Sequence, residues 1–390
     1  MMTQQAYLDW NATAPLRPQA RAAMLAATDV VGNPSSVHAQ GRAARRLLED
    51  AREQIAALVG AQPREVVFTS GGTEANMLAL TPVIEAGSEK APRDKLFISA
   101  IEHPSIRAGG RFSPTVIEDI PVDGCGRIDL GNLERRLTAL AASGSRPLVS
   151  IMLANNETGV IQPIAQAASL VHAVGGLLHV DAVQGPGRIV CDFNELGADL
   201  LTLSAHKLGG PQGVGALIKR SDLHIEPLIK GGGQERGERA GTENVAGIAG
   251  FGAAAEAART SFAEESAQMA TLRARLETGI RQVHSGTLIF GSESERLPNT
   301  TLFTVPGMKA ETAVIAFDLD GIAVSSGAAC SSGKVAPSLV LAAMGIAPEL
   351  ARGAIRVSLG YATTEHEVEA FLSAWAKLAG TLYKTREIAA

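Results

Sequence analysis

The sequence predicts an α/β fold: a mainly parallel central sheet in a large domain, with a smaller α+β domain beside it. Three observations carry this. Short apolar runs alternate with helix-forming stretches through the middle of the chain, the pattern of strands joined by crossover helices. A long stretch rich in Ala, Glu, Arg and Leu, residues 244 to about 283, then interrupts the alternation. After residue 284 a second, shorter series of strands and helices begins. At 390 residues the chain has room for both units. The large domain is drawn at 16–258, and the small one at 1–15 together with 259–390.

In order, the expected strands of the large domain are 66–69, 96–99, 148–153, 177–181, 200–204 and 214–218, and its helices 42–59, 74–86 and 164–174. The 244–283 stretch reads as one long helix linking the domains. Beyond it come strands at 301–305, 322–324 and 355–358, helices near 311–319 and 337–344, and a final helix at 365–382.

Composition narrows the function. Hydrophobic residues make up 46% and charged residues 19%, which suits a large core, and the formal net charge is −5. With no basic block and only 4% aromatic residues, nothing in the composition argues for nucleic-acid binding. The start, Met-Met-Thr-Gln-Gln, has neither the basic nor the apolar stretch of a signal peptide, and no run of 18 apolar residues is present. Three cysteines, Cys125, Cys191 and Cys330, form no Cys-x-x-Cys pair. A structural metal site is therefore not expected, and a reducing cytoplasm is.

The chemistry concentrates at strand ends. One strand ends in Asp181; another runs through Ser204 into Ala205-His206-Lys207. A lysine amine can condense with the aldehyde of pyridoxal 5'-phosphate, and a carboxylate can keep the pyridine nitrogen protonated so that the ring accepts electrons. Thr69-Ser-Gly-Gly72-Thr73 joins a strand to a helix. Thr73 either caps that helix or joins its free N–H groups in holding an anion. His103, after another strand, either stacks on a planar cofactor and moves protons or is a solvated loop residue. Asn155-Asn156 suits a turn as well as a ligand contact. Gly231–Thr242 reads as an interdomain loop or as a second phosphate contact reaching a neighbouring subunit. Cys330 sits among Ser and Gly with Lys334 close by, an accessible thiol. Arg356 lies within an apolar strand, where its fork needs an internal acid or a substrate carboxylate.

Together with Tyr7–Pro15 and Gly32–His38, these segments, in this order, resemble the cysteine desulfurases of the NifS/IscS type, in the class V aminotransferase group, over almost the whole chain. The resemblance implies a fold-type I pyridoxal phosphate enzyme and a homodimer. It implies that Lys207 binds the cofactor covalently, Asp181 pairs with the pyridine nitrogen, and Gln184 bonds the ring's phenolic oxygen. Asn156 should lie near that oxygen and the substrate. His103 should stack on the ring and act as acid/base. Gly72, Thr73, Ser204 and His206 should hold the phosphate, with Thr242 supplied by the partner subunit. Arg356 should bind the L-cysteine carboxylate, and Cys330 should take the sulfur as a persulfide and pass it to an acceptor protein, such as an iron–sulfur scaffold or a sulfur carrier. The stretch from Ser331 to Ser338 resembles the longer, mobile version of the cysteine loop.

Two departures stand out. The opening motif reads Asn11-Ala-Thr-Ala14, where relatives more often have Ala-Thr-Thr. The chain also stops at Ala390, soon after its last helix, which leaves docking of the iron–sulfur scaffold open. The rival readings are a selenocysteine lyase, an aminotransferase of the same fold, and a non-catalytic interaction subunit. The last is disfavoured by the intact Lys207, Asp181, His103 and Cys330.

Overall fold

The computed structural model describes residues 6–87, 92–141, 144–327 and 338–383. The central sheet has the spatial order Val66–Thr69, Gly215–Lys219, Leu200–Ser204, Leu177–Asp181, Pro147–Met152, Lys95–Ser99, Ile117–Ile120. Gly215–Lys219 runs against both neighbours, and every other adjacent pair is parallel.

Side chains alternate between the two faces, so continuous apolar runs bury both. Leu148, Leu200 and Leu217 face a cluster with Leu78, Leu80 and Ile98. Their neighbours Val149, Leu201 and Ile218 face another, with Leu48, Ile55 and Phe251.

A second, antiparallel sheet has the order Leu288–Ile289, Thr300–Thr304, Ile355–Ser358, Ser325–Ser326. It shares a core of Leu276, Phe303, Phe317, Phe371 and Trp375 with the helices Phe262–Val283, Ala310–Leu319 and Glu365–Leu382. The N-terminal segment ties the two sheets. Ala6–Tyr7 pairs with Ile322–Ala323 in a separate two-stranded sheet, and the Leu8 carbonyl accepts the Ser358 amide of the antiparallel sheet, whereas the Ala14 and Arg17 amides donate to the carbonyls of His206 and Gly209; these three bonds are each 2.8 Å.

Strand positions agree with the sequence to within a residue or so, but two helices differ. The helix expected at 74–86 is Gly72–Ala79, and Ile84–Ala86 is instead a strand paired with Leu223–Ile225. Pro82 lacks an N–H and disfavours helical geometry at Thr81. The long 244–283 helix is two, Val245–Thr260 and Phe262–Val283, broken at Ser261. There the Thr260 hydroxyl donates to the carbonyls of Glu256 (2.9 Å) and Ala257 (3.1 Å), a local bond that competes with the helical ladder. The acidic edge strand Ile117–Ile120 was not anticipated; charge on an edge blunts further pairing. No helix among the described residues is long and apolar enough to cross a membrane.

Candidate active site

The carboxyl ends of the parallel strands open on a cavity of about 990 Å³, lined from both sheets and from the N-terminal segment. Asp181 is the last residue of its strand. Lys207 follows the adjacent strand on the short turn Ala205–Lys207, so neighbouring strands bring the two together across 26 residues of sequence.

One wall of the cavity offers unpaired backbone donors, an anion pole in its chemistry. Gly72 and Thr73 open the helix Gly72–Ala79, whose first N–H groups have no helical partner. Close packing fixes this turn. A Cβ on Gly215 would lie 2.5 Å from the carbonyl carbon of Gly71, and one on Gly72 would meet Val183 Cγ2 at 3.1 Å and Ser204 Cβ at 3.3 Å. Glycine thus seats the turn directly on the strand ends that carry Ser204 and Asp181. Ser204 and His206 line the same cavity. Burial, with Lys207 beside it, lowers the His206 pKa to about 4, so its imidazole is neutral at pH 7.

Asp181 is held from two sides: Asn76 Nδ2 donates to Oδ2 at 2.9 Å, and the Val183 amide to Oδ1 at 3.1 Å. Asn76 Nδ2 also donates to Ser105 Oγ at 2.9 Å, and Ser105 Oγ lies 2.8 Å from His103 Nδ1. Because Nδ1 of His103 accepts the Ser105 amide at 3.2 Å, a neutral ring carries its proton on Nε2. Burial lowers the His103 pKa; Asp181 opposes this and Lys207 adds to it.

Lys207 Nζ donates to the carbonyls of Asn11 (2.6 Å) and Ala12 (2.7 Å). Burial, then the positive charges of Arg356 and Arg188, brings its pKa down to about 7, against the pull of Asp9 and Asp181. The amine is therefore substantially neutral at physiological pH, as a base requires.

Of the two partners expected for Arg356, the structure supplies the internal acid. Nη2 pairs with Asp9 Oδ1 at 2.8 Å and Nη1 donates to the Asn156 carbonyl at 3.1 Å, while buried Nε has no partner. An internal acid holds the guanidinium in place and leaves part of its fork free.

Gly72, Thr73, His103, Asn156, Asp181, Gln184, Ser204, His206, Lys207 and Arg356 all line the one cavity. Thr242 does not; it is exposed on the surface. Its Gly231–Thr242 segment is anchored by the buried pair Glu235–Arg52 at 2.8 Å and by Arg239–Glu74 at 2.9 Å. Cys330 and Lys334 lie outside the described residues. Sequence reasoning missed Asp9, Asn11, Asn76 and Ser105. Asp9 and Asn11 sit in the opening motif Tyr7–Pro15, and their place in it was the available signal. The donor set, an anion pole, a carboxylate and a lysine around one apolar-walled cavity, fits pyridoxal 5'-phosphate.

Comparison with known proteins agrees. The aminotransferase class-V family model matches residues 6–371. A cysteine desulfurase of Cereibacter sphaeroides is 42% identical, covering 95% of this chain and 94% of the relative. The cysteine desulfurase IscS of Dictyoglomus turgidum is 41% identical over 94% and 92%. Among solved structures, a NifS-like protein from Rickettsia africae superposes with a TM-score of 0.86 at 38% identity, covering 97% of this chain and all of that one.

Proposed function

The chain belongs to the aminotransferase class-V family, and we propose that it works in the cell as a homodimeric cysteine desulfurase whose sulfur-accepting thiol is Cys330. It is a pyridoxal phosphate-dependent enzyme that converts L-cysteine to L-alanine with transfer of the sulfur. The observation that carries the site assignment is the meeting of Lys207 and Asp181 on adjacent strand ends in one cavity.

Gly72, Thr73, Ser204 and His206 would hold the phosphate, Asp181 the pyridine nitrogen, Gln184 the phenolic oxygen, and Lys207 the aldehyde carbon. Bound there, pyridoxal 5'-phosphate supplies an electron-accepting ring for the substrate's α-carbon. Arg356, at the cavity wall, would bind the substrate carboxylate. The Lys207 amine takes the α-proton, and His103 serves as acid/base through Nε2. The substrate's C–S bond breaks as a bond forms between its sulfur and Cys330 Sγ. Protonation of the freed carbon gives alanine, and the persulfide stays on Cys330. Atoms and electrons balance without an external oxidant, and the hard step is split in two by covalent storage. The other cysteines suit the role poorly. Cys191 is buried, which pushes its thiol pKa well up, and Cys125 Sγ lies 3.8 Å from the Glu293 carboxylate, away from the cavity.

Residues 16–258 form the proposed large domain, and 1–15 with 259–390 the small one. The Gly231–Thr242 segment, exposed at Thr242, suits a phosphate contact across a dimer. A cytoplasmic protein acceptor, serving iron–sulfur cluster or sulfur-cofactor synthesis, would then take the persulfide.

Alanine and sulfide release from L-cysteine, with and without reductant, tests the reading. Cys330→Ala should bind cofactor and cysteine with an unchanged spectral response yet yield almost no alanine. Mass spectrometry after brief exposure to cysteine should find the added sulfur on the Cys330 peptide. Sulfur on Cys125 or Cys191 would overturn the thiol assignment. Selenide release with little turnover of cysteine would favour a selenocysteine lyase, and alanine formation only with a ketoacid present an aminotransferase. A fully active monomer in sedimentation would rule out the shared site.

A further inference from the structure

Arg188 is a buried cation with no carboxylate partner among the described residues, an arrangement that costs stability. Glu265, which lines a small pocket together with Arg188, is committed to Arg17 through both oxygens, at 2.7 and 2.6 Å. The guanidinium instead reaches inward. Nη1 donates to the Gln184 carbonyl at 2.9 Å and to Gln184 Oε1, and Nη2 donates to the Lys207 carbonyl at 3.2 Å.

Resting on the desulfurase reading, we infer that Arg188 is a positioning residue of the reaction: its fork fixes the orientation of the Gln184 amide, and it sets an unneutralised positive charge against the backbone of Lys207. A guanidinium only donates, so the Gln184 oxygen must face it. The Gln184 NH2, bonded to the Asn11 carbonyl at 3.1 Å, is left on the cavity side as a donor. A fixed donor there favours an ionised phenolic oxygen over a neutral one. The charge acts in the same sense on the lysine. Of the groups acting on Lys207, Arg356 and Arg188 oppose its protonation, Asp9 and Asp181 favour it, and His103 and His206 are neutral neighbours. Arg356 is offset by Asp9 at 2.8 Å; Arg188 has no such counterion. The groups acting on Arg188 itself are Arg356, whose like charge opposes its protonation, and the Cys191 thiol, which burial keeps protonated.

The test uses cofactor-free protein and needs neither cysteine nor turnover, so its failure is separable from failure of the desulfurase reading. The pH dependence of Lys207 acylation, followed by peptide mass spectrometry, should have a midpoint of about 7 in the parent. The midpoint should rise by roughly one unit in Arg188→Met and stay in Arg188→Lys, which keeps the charge. Arg188→Gln is read in the same way as Arg188→Met should that variant not fold. The amide role is read by cofactor affinity. Arg188→Lys and Gln184→Leu should each lose roughly tenfold, and the double variant no more than either, because both break one link. An unchanged midpoint in Arg188→Met or Arg188→Gln, or additive losses of affinity, would overturn the assignment.

Discussion

Each sheet delivers one cation to the cavity, and the two are treated in opposite ways. Lys207, from the seven-stranded sheet, is surrounded by carbonyls and by other positive charges, and its amine loses its proton near pH 7. Arg356, from the four-stranded sheet, is given an acid, Asp9, held in turn by the Ser325 hydroxyl at 2.9 Å. The difference suits the tasks proposed for them. A base has to be neutral before it can take a proton, whereas a carboxylate clamp works only while charged. The N-terminal segment serves both, since Asp9 meets the arginine and Asn11 and Ala12 meet the lysine.

Removing the lysine should cost most. Lys207→Ala should abolish the cofactor's covalent link and reduce turnover by about 10⁴-fold or more, measured as alanine release and visible absorbance. Near-parental turnover in that variant would collapse the contrast. Arg356→Met should act on binding: KM for L-cysteine should rise roughly ten- to hundredfold, the worth of about 1.5–3 kcal/mol for a hydrogen bond to a charged group, with a smaller change in kcat. A pure kcat effect would mean that Arg356 does not clamp the carboxylate.

The titration itself sharpens the comparison. Only a neutral amine captures the cofactor's aldehyde. Capture by cofactor-free protein should fall roughly tenfold per pH unit below about 7 and level off above it. A rate still climbing toward pH 10 would place the lysine in an ordinary environment.

The smallest effect concerns Glu157, which accepts the Ser338 hydroxyl at 2.6 Å and whose pKa burial raises to about 7, against Ser338 and Arg356. Between its unfolded value and 7 the folded state holds the extra proton, so this group's contribution to stability falls as pH rises through that window. Glu157→Gln should flatten the dependence and gain about 1–3 kcal/mol at pH 8, read by thermal unfolding at pH 5 and 8. Equal slopes in parent and variant would remove Glu157 as the source.

Much of this was legible in the sequence because the chemistry sits at strand ends, and strands are read from apolar runs. Asp181 and Lys207 each close such a run. The break at Ser261 was hidden because good helix formers flank it on both sides. The carbonyls of Asn11 and Ala12 were hidden for a different reason: a backbone acceptor has no residue type to betray it. Asp9 and Arg356 are 347 positions apart, and only the folded chain reveals that the arginine's acid partner comes from the opening motif.

The contact between Gly215 and Gly71 bears on inheritance as well as on packing. Neither glycine offers a side chain to a ligand, yet a methyl group at 215 would displace the turn that seats the anion pole. Damage there would weaken retention of the cofactor while leaving every reacting group intact. Because a bound ligand stabilises the folded form by mass action, such an allele should be vitamin-remedial: defective at low pyridoxal phosphate and restored when the supply is raised.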